Sequence, residues 1–134
     1  MVSGTQPIEV AQQGQVAVVT FRGELDLEDS VEAALALHSA LSDTSTAATL
    51  LDLSQLTFAD STLLNTTLRA IAAHQTAHRP LVVAGPLHNA IARLYAITGT
   101  LEILDPADSR EDGLHRIRRL RTAHRPGFGG EKQD

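Results

Sequence analysis

The chain predicts a single α/β domain built on a parallel-rich sheet. Apolar runs of strand length alternate with segments of helical periodicity along most of the sequence. Glycine and proline fall between those segments, at Gly14, Arg79-Pro80, Gly85-Pro86 and Gly99. At 134 residues with 43% hydrophobic content, the chain can bury one core of good size but not two ordinary ones. Strands that alternate with helices pair in parallel through right-handed crossovers, which place the helices against one or both faces of the sheet.

The elements follow in order. Ile8 to Val10 and Val16 to Phe21 are strand candidates, and Gln12-Gln13-Gly14-Gln15 between them suits a hairpin turn. Asp29 or Ser30 can cap a first helix whose Val31, Ala34, Leu35, His38 and Leu41 share a face. Leu50, Leu51 and Leu53, interrupted only by Asp52, suit a strand buried on both faces, followed by a loop from Ser54 to Ala59. Asp60, Ser61 and Thr62 are all able to bond free N–H groups at a helix start, and Leu64, Leu68 and Ile71 continue at helical spacing. That arrangement leaves Ser61 at an exposed helix end.

Arg79-Pro80 ends this helix, and Leu81 to Ala84 reads as the next strand. Gly85-Pro86 leads into a helix with Leu87, Ile91, Leu94 and Ile97 facing inward and Gly99 at its end. Leu101 to Leu104 reads as a short final strand. A last helix, about Ser109 to Ala123, has a narrow stripe of Leu114, Ile117 and Leu120 and is expected to pack over the domain edge. The domain is therefore placed at residues 1–123, with 124–134 expected as a disordered Pro- and Gly-containing tail.

Three blocks of the sequence resemble the STAS domain, the fold of bacterial anti-sigma factor antagonists. Asp60-Ser61-Thr62, with a strand before it, matches the Asp-Ser-Ser/Thr that opens a helix in that family. Gly23-Glu24-Leu25-Asp26 matches a G-E-L-D block after the second strand, and Arg93-Leu94 with Thr98-Gly99 matches a helix ending. The likeness spans roughly Ile8 to Leu120. It implies a mixed four- to five-stranded sheet with the helices mainly on one face.

The resemblance also implies a function. The family's unphosphorylated form binds an anti-sigma factor with serine kinase activity, and that partner's phosphorylation of one Ser ends the interaction. The acceptor aligns with Ser61, and Glu24, Asp26, Asp60, Thr62, Leu63 and Leu64 are the expected partner-binding residues. ATP would be supplied by the partner, so this chain itself needs no cofactor and is expected not to be an enzyme. Where the family carries Gly two and four residues after the acceptor, this chain has Leu63 and Asn65. Those side chains favour an alternative, a constitutive scaffold subunit of a stress-signalling or lipid-transport complex, in which Ser61 is only a helix cap.

Composition bounds the remaining possibilities. Cysteine is absent, which removes disulfides, thiol catalysis and Cys-based zinc sites. Residues 1–109 hold 4 basic and 12 acidic groups (net −8), and residues 110–134 hold 7 basic and 4 acidic (net +3). The acidic body disfavours a nucleic-acid partner. The Arg110, Arg116, Arg118, Arg119 and Arg121 cluster reads chiefly as a solvated helix face, with docking to an acidic partner or anionic surface as the minority reading. His74 and His78 have the spacing of paired ligands, but no third ligand accompanies them, so they read as positive charge near a helix C-terminus and no metal site is expected. Gly127-Phe128-Gly129-Gly130 lacks a Gly-Lys-Ser/Thr pattern, and no G-x-S-x-G elbow surrounds any serine. With no apolar run long enough to span a membrane and no signal-like start, a cytoplasmic location is expected.

Overall fold

A computed structural model describes residues 6–123 of the chain. The tail expected to be disordered lies outside the described residues. Strand β1 (Ile8–Gln13) turns at Gly14 into β2 (Val16–Leu25), and the pair is antiparallel. Gly14 takes a left-handed φ of 59°, the conformation that favours glycine in so short a turn. A 3-10 turn, Leu27–Asp29, leads into α1 (Ser30–Ser42). The chain continues through β3 (Ala48–Ala59), α2 (Ser61–Thr76), β4 (Leu81–Ala84), α3 (Asn89–Ile97), α4 (Leu101–Leu104) and α5 (Arg110–Ala123). The sheet order is β1-β2-β3-β4, with β2/β3 and β3/β4 parallel, so it is a mixed four-stranded sheet.

Two cores lie on opposite faces of this sheet. Ala17, Val19, Phe21, Leu51, Leu53 and Val83 point to one face, where they pack with the buried residues of α1, α2, α3 and α4. Their alternate neighbours Val16, Val18, Leu50, Val82 and Ala84 pack with Ile117 of α5, flanked by Leu114 and Leu120. Strand residues alternate sides with a period of two, so the central strands are apolar on both faces. Helix α5 thus covers the second face, where the sequence placed it over the domain edge. Gly113 allows the approach: a Cβ there would lie 2.6 Å from Leu50 Cδ1.

Four further expectations are corrected. The stretch Ser54 to Ala59 is not a loop; β3 continues through it, because β2 also extends, to Leu25, and the parallel ladder carries on to Leu25 opposite Ala59. Leu101 to Leu104 is a helical turn with Leu104 buried, and the strand-like pairing falls instead at Ala107, bridged in parallel to Ala84. Four residues hold too little of any period to tell helix from strand. Helix α1 buries Ala33, Ala36, Leu37 and Ala40, while Val31 and Leu35 are exposed. The alanine-rich side allows the close approach that dense packing rewards. In α3, likewise, Tyr95 is buried and Ile97 is exposed.

Two of the buried polar residues, Asp52 and His74, are explained by what they bond. Asp52, buried in β3, accepts from Ser54 N–H (2.9 Å) and Ser54 Oγ (2.7 Å), and its other oxygen accepts from Arg110 Nε (3.1 Å) and Nη2 (2.9 Å). This pair fastens the start of α5 to the sheet. His74, buried on α2, has Nδ1 2.7 Å from the Ala70 carbonyl oxygen. A carbonyl only accepts, so Nδ1 carries the proton and Nε2 accepts from the Thr49 hydroxyl at 2.9 Å. His74 is a core residue whose burial disfavours the charged form, not the solvated helix-end charge its position suggested. Burial and the neighbouring Arg79 charge lower its pKa below the ordinary 6.5, against an opposing contribution from the Ala70 bond.

Two stability predictions follow from these bonds. Arg110→Ala should destabilise the fold by about 2–3 kcal/mol, the lower end for a broken buried pair because the arginine side of it is partly open to water. Urea unfolding of the two proteins measures this. His74, whose folded pKa is lowered, contributes its full share of stability above pH 6.5, and that share is lost as pH falls through 6.5 toward the folded value. The pH slope of unfolding free energy between neutral and mildly acid conditions should therefore flatten in His74→Gln.

Candidate functional site

Parallel pairing of β2 with β3 brings two distant segments to the same edge of the sheet. Glu24 pairs with Phe58 and Leu25 with Ala59, so the next residue of each strand, Asp26 and Asp60, leaves the ladder beside the other. The outer ends of parallel strands are where α/β folds commonly hold their sites. Gly23, at a left-handed φ of 74°, lies between irregularities in the ladder and redirects β2 as it approaches this edge.

Each aspartate starts a helix. Asp60, in extended conformation, caps α2 by accepting from Thr62 N–H (3.1 Å) and Leu63 N–H (3.2 Å). Asp26 caps the 3-10 turn by accepting from Glu28 N–H (3.0 Å), while its own N–H donates to Asp29 Oδ2 (2.9 Å). Both caps satisfy backbone donors that would otherwise be unpaired at a helix start. Glu24, Asp26, Glu28 and Ser61 are exposed, so the edge presents several carboxylates around one hydroxyl.

Ser61 is the first residue of α2, and its hydroxyl takes no part in the cap, which Asp60 carries. The possibility that Ser61 is the cap is thereby corrected. Thr62 is half-buried, and its carbonyl accepts from Thr66 Oγ1 at 3.0 Å. Leu63 and Leu64 are buried in the main core. They support the surface from beneath and offer no side chain to a partner, a correction to the sequence reading. Their position two and three residues into an amphipathic helix turns them toward the sheet. Of the two departures from the family glycines, only Asn65 adds a side chain to the surface; it is exposed one turn beyond Ser61.

A groove that sequence reasoning missed adjoins this edge. It encloses about 410 Å³ between the end of β3 and α3, lined by Phe58, Ala59, Asn89, Arg93, Leu94 and Ile97. Phe58 and Ile97 are large apolar residues left exposed. Phe58 fell in a stretch read as loop, and Ile97 on a face read as inward. Arg93-Leu94 was the one available signal, as a motif block without an assigned role.

Among the described residues no cluster of three or more His, Asp or Glu side chains could hold a metal ion, and no helix is long and apolar enough to cross a membrane. His74 and His78 are kept apart in character, the first buried and the second exposed at a left-handed φ of 56°.

The division of labour between Asp60 and Ser61 is measurable. Asp60→Ala should lose about 1 kcal/mol of stability, the usual worth of an N-cap, whereas Ser61→Ala should stay within about 0.5 kcal/mol of the parent. Parallel denaturant titrations of the two variants check this.

Comparison with known proteins agrees with this geometry. A family model described as "Mlab, STAS domain" matches residues 8–105. No curated protein sequence matches the chain. Among solved structures, an anti-sigma factor antagonist from Mycobacterium paratuberculosis is similar at 23% identity and TM-score 0.69, over 83% of this chain and 92% of that one. A putative anti-sigma factor antagonist from Thermotoga maritima is similar at 16% identity and TM-score 0.73, over 84% and 95%. The Bacillus cell fate determinant SpoIIAA in its phosphorylated form is similar at 15% identity and TM-score 0.64, over 83% and 99%. At these identities the structures speak for the fold, and the family model speaks for the family: the chain belongs to the STAS domain family.

Proposed function

We propose that this STAS domain is an anti-sigma factor antagonist, which binds an anti-sigma factor with serine kinase activity and is released when Ser61 is phosphorylated. Through that partner it regulates sigma-factor-dependent transcription in the cytoplasm of a bacterium. The observation that carries this reading is the placement of Ser61: exposed, first in α2, and free of the capping duty that Asp60 performs. Similarity to a STAS-fold protein whose structure is that of a phosphorylated form supports it.

The chemistry asks little of this chain. The Ser61 oxygen attacks the γ-phosphorus of ATP held by the partner, a new P–O bond forms, ADP leaves, and the hydroxyl proton passes to a base of the partner. The product carries close to two negative charges at a helix N-terminus, which favours anions through its N–H groups and dipole. Asp60 and Asp26 lie at the same edge, so a partner matched to the unmodified surface meets added repulsion. Glu24, Asp26, Asp60, Thr62 and Asn65 supply the polar part of the docking surface, and Phe58 the apolar part. Binding can thus be abolished with the fold unchanged.

A constitutive scaffold subunit remains the second reading, favoured by Asn65 where the family carries glycine. In that reading too Asp60, and not Ser61, caps α2.

Incubation with the partner kinase and ATP should add one phosphate, mapped to Ser61. Ser61→Ala should bind the partner yet resist regulation. Ser61→Asp should bind more weakly but only in part, since its charge is about half that of phosphoserine. Phosphate on Ser30, Ser54 or Thr62 with none on Ser61, or unchanged partner affinity in Ser61→Asp, would defeat the proposal.

A further inference from the structure

Helix α1 and the 3-10 turn before it present large apolar residues to solvent. Leu27, Val31 and Leu35 are 63%, 67% and 62% exposed. Val31 and Leu35, four residues apart on α1, stand one turn above the other, and Leu27 precedes them on the 3-10 turn. Single exposed apolar residues are ordinary, but an aligned row marks an interaction surface. The row runs beside a shallow groove of about 180 Å³ between α1 and α2, lined by Ala34, His38, Leu41, Arg69, Ala70 and Ala73. Row and groove together make one mostly apolar strip on the helical layer.

The charges along this strip are asymmetric. Helical geometry puts Glu32 along the edge of α1 away from α2, while Arg69, on α2, stands across the groove on the other edge. Neither of these two side chains has an ion-pair partner among the described residues. A two-fold axis running along the strip exchanges the edges. It would lay the acidic edge of each copy on the Arg69 edge of the other, and the apolar row on itself. Such an isologous contact satisfies the free charges twice over.

We propose that this strip is a self-association surface through which two copies of the chain pair along α1. The axis sets the Asp26 and Ser61 edges of both copies at the same end of the dimer, since the start of α1 lies at that edge. Two docking sites would then face one direction, a geometry in which a two-sited partner gains from avidity. This assignment does not depend on the phosphorylation of Ser61.

Sedimentation velocity from micromolar to near-millimolar concentration tests it. The parent should pass from monomer to dimer, and Val31→Asp/Leu35→Asp should remain monomeric. Val31→Ser/Leu35→Ser serves the same purpose if the carboxylates impair folding, which circular dichroism monitors. Glu32→Arg and Arg69→Glu should each weaken the dimer by about tenfold, and the two together should recover most of that loss. A parent that stays monomeric throughout, a dimer that survives loss of Val31 and Leu35, or a double charge reversal without recovery would each overturn the proposal. So would a monomer whose strip binds only anionic lipid vesicles.

Discussion

The parallel ladder between β2 and β3 supports everything else in this molecule. It runs from Val16 opposite Ala48 to Leu25 opposite Ala59, so two strands separated by a whole helix end at the same edge. Had the strands paired antiparallel, Asp26 and Asp60 would lie at opposite ends of the sheet. The crossover through α1 returns the chain to the far end of the sheet, so that β3 can run parallel to β2. Burial on both faces holds its register, because a slip of one residue would exchange the two apolar faces and carry Asp52 out of reach of Arg110.

On this edge the capping chemistry separates structure from regulation. Asp26 and Asp60 both spend a carboxylate oxygen on backbone N–H groups. Ser61, next to one of them, is left with an exposed hydroxyl and no part in the cap. A residue with no structural duty can change charge without a folding penalty, which a modification site needs. The buried Leu63 and Leu64 anchor the same helical turn in the core, so the surface around Ser61 is rigid from below. The proposed switch works by electrostatic mismatch with a partner and needs no second conformation of this domain.

The opposite sheet face has a different character. Helix α5 is basic outside and narrow in its apolar contact, yet Gly113, Ile117 and the Arg110–Asp52 pair hold it against the sheet. Two of its arginines are engaged on the domain itself, Arg110 with Asp52 and Arg116 with Asp105. The arginine cluster is therefore partly structural, and the acidic functional edge is not neutralised by it.

Much of the architecture was legible in the chain, and the places where it was not share a cause. The hairpin at Gly14, the apolar central strands, the helix opened at Asp60-Ser61 and the inward Ile117 all follow from local pattern, since turn residues and strong periodicity act over a few neighbours. The family blocks brought Glu24, Asp26 and Ser61 into consideration together, although nothing local says that they meet. Tertiary structure decided the rest. The extension of β3 through Ser54 to Ala59 needed the facing residues of β2. The inward side of α1 was chosen by fit, since both of its sides are apolar and the alanines pack closer than Val31 and Leu35. The lowered pKa of His74 depended on the packing that buries it, which also brings in Thr49 from far away in sequence, and Asp60 rather than Ser61 became the cap as the last extended residue before α2. Sequence pattern reports which residues prefer burial or a helix start; which of several suitable residues takes the role is decided by the partners that packing supplies.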